Sequence, residues 1–175
     1  MKFDNYELRL LQSADKKHFF HLIQNNIFRL EDFVAGIVAQ TKTENDVENF
    51  INNSILKIQD KTYYPYLVID LVTKMPIGFI DIKNIDWSIP KAELGFFIDK
   101  NYAGKSITTK ALLNISEYLF NDLKFNKLLL RIHHSNNPSR GVAEKCGFEL
   151  EGIIKNDYKT TKGEIVDFMY YGKVK

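Results

Sequence analysis

Cysteine and histidine are scarce in this chain of 175 residues. With Cys146 as its one cysteine, the chain can form no disulfide within itself, which fits a reducing compartment. The four histidines occur as the pairs His18/His21 and His133/His134. No cysteine accompanies either pair at the spacing of zinc ligands, so we expect no metal site.

Long apolar runs and a surplus of one charge are also missing. No run approaches the roughly 20 residues that a membrane crossing needs, and Asp4 and Glu7 lie where a secretion signal has apolar residues. The formal net charge is +2, and the basic residues are dispersed along the chain. Nucleic-acid binding through the phosphate backbone needs a clustered basic face, which this sequence does not predict. We therefore expect a cytoplasmic protein with no membrane partner and no direct nucleic-acid partner.

No internal repeat, low-complexity tract or Pro/Gly-rich linker interrupts the chain, which predicts one domain over residues 1–175. Thirteen Phe and nine Tyr supply a large aromatic core. Period-two alternation and helical spacing together predict an α+β domain on one sheet. The predicted strands are 6–11, 64–72, 77–82, 91–98, 127–132, 149–154 and 165–174, and the predicted helices start at Ser13 and Thr43 or cover 30–39, 106–123 and 138–145.

The segment from Glu93 to Leu112 carries the strongest functional signal. A strand leads through a short loop into a helix, whose first N–H groups lack partners and whose dipole is positive there, as a pyrophosphate requires. Gly104 lets the backbone approach a ligand closely, and Lys105 adds charge. Ser and Thr in the same loop offer hydroxyl donors. An ordinary capped helix is the alternative explanation.

Gly95 is unusual because glycine weakens the interior of a strand. It indicates a bulge or a close approach of another backbone. A strand that splays away from its neighbour leaves N–H and C=O groups free for an extended ligand. A glycine that makes room for an aromatic ring is the alternative.

Four segments resemble the GNAT acyltransferase superfamily, and specifically its ribosomal-protein N-terminal (RimJ/RimL-like) acetyltransferases. They are Leu8–Leu10, Glu93–Ile98, Tyr102–Leu112, and Asn136–Ser139 followed by Glu144–Phe148 and Glu151–Gly152. The resemblance implies one mixed sheet that is splayed at the central strand and flanked by helices. It also implies acetyl-coenzyme A as cosubstrate and an amine acceptor, with a protein or peptide N-terminus favoured. A small amine (polyamine, aminoglycoside or amino acid) and a non-catalytic acyl-coenzyme A binder are the alternatives, and we expect a monomer or a homodimer.

The resemblance also implies roles for individual residues. The backbone of Phe97 and Ile98 would pair with the pantetheine arm, and Asn136 would contact it. Ser139, or a water it holds, would protonate the departing thiolate, and Glu93 would take a proton from the amine, directly or through water. The pyrophosphate would lie on the loop formed by Ala103, Gly104, Lys105, Ser106, Ile107 and Thr108. Transfer would be direct, in a ternary complex, without a covalent enzyme intermediate.

Simpler roles compete with these. Asn136 and Ser139 also suit the start of a helix, Glu93 suits a solvated strand position, and Cys146 suits a core. The loop departs from the family pattern, since Ala103, Ser106 and Thr108 replace its usual polar and small residues. A positive φ at Ser106 would cost free energy, because its β-carbon crowds the backbone there.

Overall fold

Eight strands in one sheet organise the chain in the computed structural model, which describes residues 1–175. The strands are β1 (Lys2–Phe3), β2 (Tyr6–Leu10), β3 (Tyr64–Asp70), β4 (Pro76–Asp86), β5 (Lys91–Ile98), β6 (Lys127–His133), β7 (Glu149–Lys159) and β8 (Ile165–Val174). The helices are α1 (Lys16–Gln24), α2 (Ile27–Leu30), α3 (Ala35–Ala39), α4 (Glu44–Gln59), α5 (Ile107–Asn121) and α6 (Asn137–Lys145). None of the helices combines the length and the apolar character that a membrane crossing needs.

The sheet is mixed and it forks. Its order is β1-β2-β3-β4-β5-β6-β8-β7, and β5 with β6 is its one parallel pair. These two strands pair from Lys91 opposite Lys127 to Leu94 opposite Leu130, and no further, although β5 continues to Ile98 and β6 to His133. The predicted α+β sheet, splayed at its central strand, is confirmed, and the fork begins after Leu94.

Alternation along β5 builds a core on each face of the sheet. Leu94 belongs to a buried cluster with Leu112 and Ile115 of α5. Phe97 points to the opposite face and belongs to a second cluster with Phe19 of α1 and Phe50 of α4. The fork between β5 and β6 thus lies between two packed cores.

The first helical region differs from its prediction. Of the expected helix 30–39 the structure has only residues 35–39, as α3, and Leu30, which ends α2. The segment between them is not helical, and Val34 has non-helical dihedral angles (φ −132°, ψ 45°). A continuous helix would direct the Ala35 N–H to the carbonyl four residues back, whereas here it donates to Tyr158 Oη, 2.7 Å away. A 3₁₀ turn over Ser13–Asp15 delays α1 to Lys16. Thr43 caps α4, at the predicted start of this helix, and accepts a hydrogen bond on Oγ1 from the Asp46 N–H at 3.1 Å.

Candidate active site

A cleft of about 880 Å³ contains the mouth of the fork. Its lining comes from the segment 28–37, the fork itself, the loop before α5, the start of α6, and the hairpin of β7 and β8. Every residue for which the sequence predicts a catalytic or coenzyme-binding role lines this one cleft. They are Glu93, Phe97, Ile98, Ala103, Gly104, Lys105, Ser106, Ile107, Thr108, Asn136 and Ser139.

The loop before α5 presents a run of free donors. Every backbone N–H from Gly104 to Thr109 lacks an acceptor within the chain, and the next bond is from the Lys110 N–H to Ser106 O at 3.1 Å. Such a run at the positive end of a 15-residue helix is a site for an anionic group. The Ala103 N–H is not part of this run, because it donates to Lys100 O at 3.4 Å.

Two residues of this loop have left-handed backbone conformations. Gly104 has φ +76° and Ser106 has φ +59°. No atom lies within 4 Å of the place that a β-carbon on Gly104 would take, so the backbone there is open to a ligand. The sequence analysis considered a positive φ at Ser106, and the structure has one. This conformation costs about 1–2 kcal/mol for a residue with a β-carbon.

The register of β5 corrects one expectation about the pantetheine arm. The Asp99 N–H donates to Ile77 O at 2.7 Å, and Phe97 lies opposite Phe79 in an unbroken antiparallel register. Because peptide groups alternate sides along a strand, those of Phe97 face β4. The peptide groups of Phe96 and Ile98 lie on the other side of β5 and face the gap.

Asn136 and Ser139 lie together at the start of α6. Asn136 Oδ1 accepts a hydrogen bond from the Ser139 N–H at 3.3 Å and so caps the helix. The cap leaves the Asn136 side-chain NH₂ unused within the chain. The Ser139 hydroxyl also has no partner within the chain and lines the cleft.

Glu93 is not a solvated strand residue. It is 8% exposed, and its Oε2 accepts a hydrogen bond from Asn84 Nδ2 at 2.8 Å. Its Oε1 lies 3.7 Å from Lys83 Nζ and 3.5 Å from Arg131 Nε. Sequence reasoning did not find these three partners, since they come from the turn end of β4 and from β6, and only the register brings them beside Glu93.

Arg131 links Glu93 to the hairpin. Its Nη1 lies 3.6 Å from Asp157 Oδ2 and 3.4 Å from Tyr170 Oη. Burial lowers the pKa of Arg131, but the negative charges of Glu93 and Asp157 outweigh it and hold that pKa above its ordinary value. The guanidinium is therefore a permanent cation on the cleft floor.

Gly95 makes room for charged groups rather than for an aromatic ring. It is the first residue of β5 beyond the paired part of the fork and lies opposite Asp81. A β-carbon on Gly95 would overlap Asp81 Oδ1 and would lie 2.9 Å from Lys83 Nζ. The close approach that the sequence indicated at Gly95 is thus an approach of side chains from β4.

Cys146 is a core residue, as predicted. It is 1% exposed, and its thiol lies 3.4 Å from Thr109 O as a hydrogen-bond donor. Burial raises the pKa of this thiol to about 11, although Lys173 opposes the shift. It therefore stays protonated near neutral pH and is a poor nucleophile.

A forked sheet, with a helix that begins at the fork and has free N–H groups at its first turn, is the arrangement of an acetyltransferase fold. The chain belongs to the acetyltransferase (GNAT) domain family, whose sequence model matches residues 6–149. No group of three or more His, Cys, Asp or Glu side chains is placed to hold a metal ion.

Individual relatives extend this comparison. YdaF of Bacillus subtilis (strain 168), which bears the name of a ribosomal N-acetyltransferase, is 35% identical over 98 residues, or 56% of this chain and 53% of YdaF. Spermidine N(1)-acetyltransferase of Escherichia coli (strain K12) is 27% identical over 81 residues, or 46% of this chain and 44% of that enzyme. The chain thus spans about half the length of these curated relatives.

A solved structure shows the same fold over nearly the whole chain. It is RimL, a ribosomal L7/L12 α-N-protein acetyltransferase, in complex with coenzyme A. The TM-score is 0.92 at 18% identity, with 98% of this chain and 95% of that chain covered.

Proposed function

We propose that residues 1–175 form one N-acetyltransferase domain, which transfers the acetyl group of acetyl-coenzyme A to the α-amine of a protein or peptide N-terminus. One observation carries the proposal. The unpaired N–H run from Gly104 to Thr109 and the free strand edge at Phe96 and Ile98 lie in the same cleft. An extended ligand with phosphates at one end and a thin polar arm fits this arrangement. Its phosphates would bind the N–H run, and its arm would pair with the strand edge.

The residues present fit coenzyme A. The pyrophosphate would accept hydrogen bonds from the free N–H groups between Gly104 and Thr109. Lys105 would add a positive charge at the mouth, where its side chain is exposed. The amide groups of the arm would pair with the peptide groups of Phe96 and Ile98, and the free NH₂ of Asn136 would donate to the arm as well.

The transfer step needs stabilisation of the thioester oxygen and a proton for the leaving sulfur. A backbone N–H at the fork, that of Phe96, is the donor best placed for an oxyanion, because it faces the gap. The Ser139 hydroxyl, or a water it holds, would protonate the thiolate. Cys146 would take no covalent part, since its thiol is buried and protonated.

The electrostatics of the cleft favour a peptide over a polyamine. A polyamine needs several free carboxylates, but Glu93, Asp81 and Asp157 each have a cation within 4 Å, from Lys83 or Arg131. Apolar side chains, among them Phe33, Val34, Ile37, Tyr158 and Phe168, line the remainder of the cleft. The names of RimL and YdaF point to the same acceptor class.

A panel of acceptors tests the proposal. Purified protein with acetyl-coenzyme A is offered peptides with free N-termini, the same peptides with blocked N-termini, spermidine, amino acids and an aminoglycoside. Released thiol and product mass are measured. We expect turnover with free peptides and none with blocked ones. If only spermidine or amino acids are acetylated, the acceptor is a small molecule and not a peptide. Tight coenzyme binding without turnover of any acceptor would indicate a non-catalytic binding module.

A single variant tests the role of Ser139. Ser139→Ala should slow turnover at saturating substrates by about tenfold or more, because general acid help is lost, while the dissociation constant for coenzyme A stays within about twofold. Ser13→Ala, far from the cleft, is the matched control. Wild-type turnover by Ser139→Ala would leave Ser139 as a residue of the first helical turn and nothing more.

A further inference from the structure

We propose that Asp81, rather than Glu93, is the carboxylate that contacts the acceptor amine and takes its proton. The inference rests on the proposed acetyl transfer and assigns a catalytic residue to it. Asp81 lies on β4, in a segment that the sequence resemblance did not include.

Position at the fork is the first reason. Attack on a thioester held in the gap passes the start of the fork at Gly95, which has no side chain of its own to separate the gap from the carboxylate of Asp81. The Asp81 carboxylate covers that backbone, so closely that a β-carbon on Gly95 would overlap Oδ1. Glu93 lies two residues earlier, opposite Leu129, where β5 and β6 are still paired. Asp81 therefore lies at the start of the fork, beside the path of the attacking amine, whereas Glu93 lies beside the paired part of β5 and β6.

Free hydrogen-bonding capacity is the second reason. Glu93 accepts from Asn84 at 2.8 Å and has both Lys83 and Arg131 within 4 Å. Asp81 accepts from Tyr63 Oη on Oδ2 at 3.1 Å, which leaves Oδ1 with Lys83 Nζ, 3.6 Å away, as its one charged neighbour. Its side chain is 13% exposed and lines the cleft. Oδ1 is thus the carboxylate oxygen best able to accept a new N–H donor.

The position of Lys83 indicates that an ammonium group fits between Asp81 and Glu93. Its ammonium lies between the two carboxylates, 3.6 Å from Asp81 and 3.7 Å from Glu93. It is also 2.9 Å from the position of a β-carbon on Gly95, directly above the fork. The side chain is 37% exposed and flexible, so it can withdraw into solvent. Lys83 holds the place that an acceptor ammonium would take and must be displaced by it.

The proton balance of the step is complete. The acceptor ammonium gives one proton to Asp81 Oδ1 and becomes a neutral amine. The amine nitrogen attacks the thioester carbon, and the carbon–sulfur bond breaks as the tetrahedral intermediate collapses. The nitrogen gives its second proton to the leaving thiolate, through Ser139 or water. Asp81 then returns its proton to solvent and is ionised for the next turnover.

Two variants with opposite expected effects test the proposal. Asp81→Asn should lower kcat/KM for a peptide acceptor about tenfold at pH 7, because an α-amine with a pKa of about 7.8 is then largely protonated. The loss should shrink above pH 8, where solvent deprotonates the amine. Lys83→Gln should lower KM for the acceptor by about two- to fivefold at pH 7, because a surface ion pair no longer competes with it.

Matched controls separate these effects from folding. Asp122→Asn and Lys17→Gln change exposed residues outside the cleft and should leave kinetics at wild-type values. Coenzyme A affinity and melting temperature are measured for every variant. If Asp81→Asn fails to fold, Lys83→Gln is read together with Glu93→Gln, because Lys83 lies near both carboxylates. An unchanged KM in Lys83→Gln, or a loss in Glu93→Gln that fades with rising pH, then overturns the proposal.

The outcomes distinguish this proposal from the proposed function. No turnover by wild-type protein with any amine defeats both. Active wild-type protein with an equally active Asp81→Asn variant defeats the role of Asp81 and leaves acetyl transfer intact. A loss in Asp81→Asn that is constant from pH 6 to pH 9 would also defeat it, because such a loss indicates positioning and not proton transfer.

Discussion

The phenol oxygen of Tyr158 accepts a 2.7 Å hydrogen bond from the Ala35 N–H, which ties the hairpin of β7 and β8 to the first turn of α3. A second link joins the same parts of the chain, between Lys162 Nζ and Asp32 Oδ1 at 3.0 Å. The Asp32 link is exposed and contributes little. The Tyr158 bond is therefore the main polar contact that fixes the cleft on its acceptor side.

Removing this bond should weaken acceptor binding alone. Tyr158→Phe keeps the ring but loses the acceptor for the Ala35 N–H, at a cost of about 0.5–1.5 kcal/mol. We expect KM for the peptide acceptor to rise about two- to tenfold, with coenzyme A affinity unchanged by calorimetry. Tyr118→Phe, outside the cleft, is the control. An equal loss of affinity for both substrates would mean that the variant disturbs the fold and not one wall.

Substitution of Gly104 should separate coenzyme binding from stability. Valine at φ +76° is strained, and its branched side chain would fill the open space through which a ligand approaches this backbone. We expect Gly104→Val to weaken coenzyme A binding at least tenfold. Gly163→Val carries similar strain at φ +87° in the turn between β7 and β8, away from the cleft. The two variants should lose similar stability, and equal coenzyme affinity in both would remove the loop from the binding site.

Replacement of Ser106 by glycine should stabilise the protein. Ser106→Gly relieves a left-handed conformation at φ +59° and should raise the free energy of unfolding by about 1 kcal/mol. Lys124→Gly, also at φ +59° but outside the cleft, is the control and should gain a similar amount. The comparison then isolates the hydroxyl. If only Ser106→Gly loses coenzyme A affinity in calorimetry, the hydroxyl binds the ligand. If neither variant loses affinity, the backbone N–H groups of the loop bind coenzyme A without help from the Ser106 hydroxyl.

Glu93 should behave as a structural carboxylate. Glu93→Gln leaves Arg131 Nε, which is buried and makes no well-aligned hydrogen bond, without its negative neighbour. We expect a cost of about 1–3 kcal/mol in stability, from denaturant titration. Any loss of turnover should be constant from pH 6 to pH 9. Glu117→Gln, on the exposed side of α5, is the control. A loss that fades with rising pH would restore Glu93 as the base.

Local signals in the sequence predicted most of the architecture. Alternation predicted the strands, and the Glu93–Leu112 segment predicted both the fork and the helix end, because these depend on residues close together in the chain. The exceptions depend on tertiary contacts. At the break before α3 the Ala35 N–H donates to Tyr158, more than a hundred residues away in the chain. The side of β5 on which Phe97 presents its peptide groups depends on its register with β4, which the sequence of one strand does not determine.

The burial of Cys146 has a practical consequence for measurement. The single thiol of the chain is 1% exposed, and its pKa of about 11 keeps it protonated near neutral pH. A cysteine introduced at Phe28, which is 85% exposed, would therefore react first with a maleimide dye. The protein therefore gives little background labelling, and ligand binding in the cleft becomes observable by fluorescence without first removing the native cysteine.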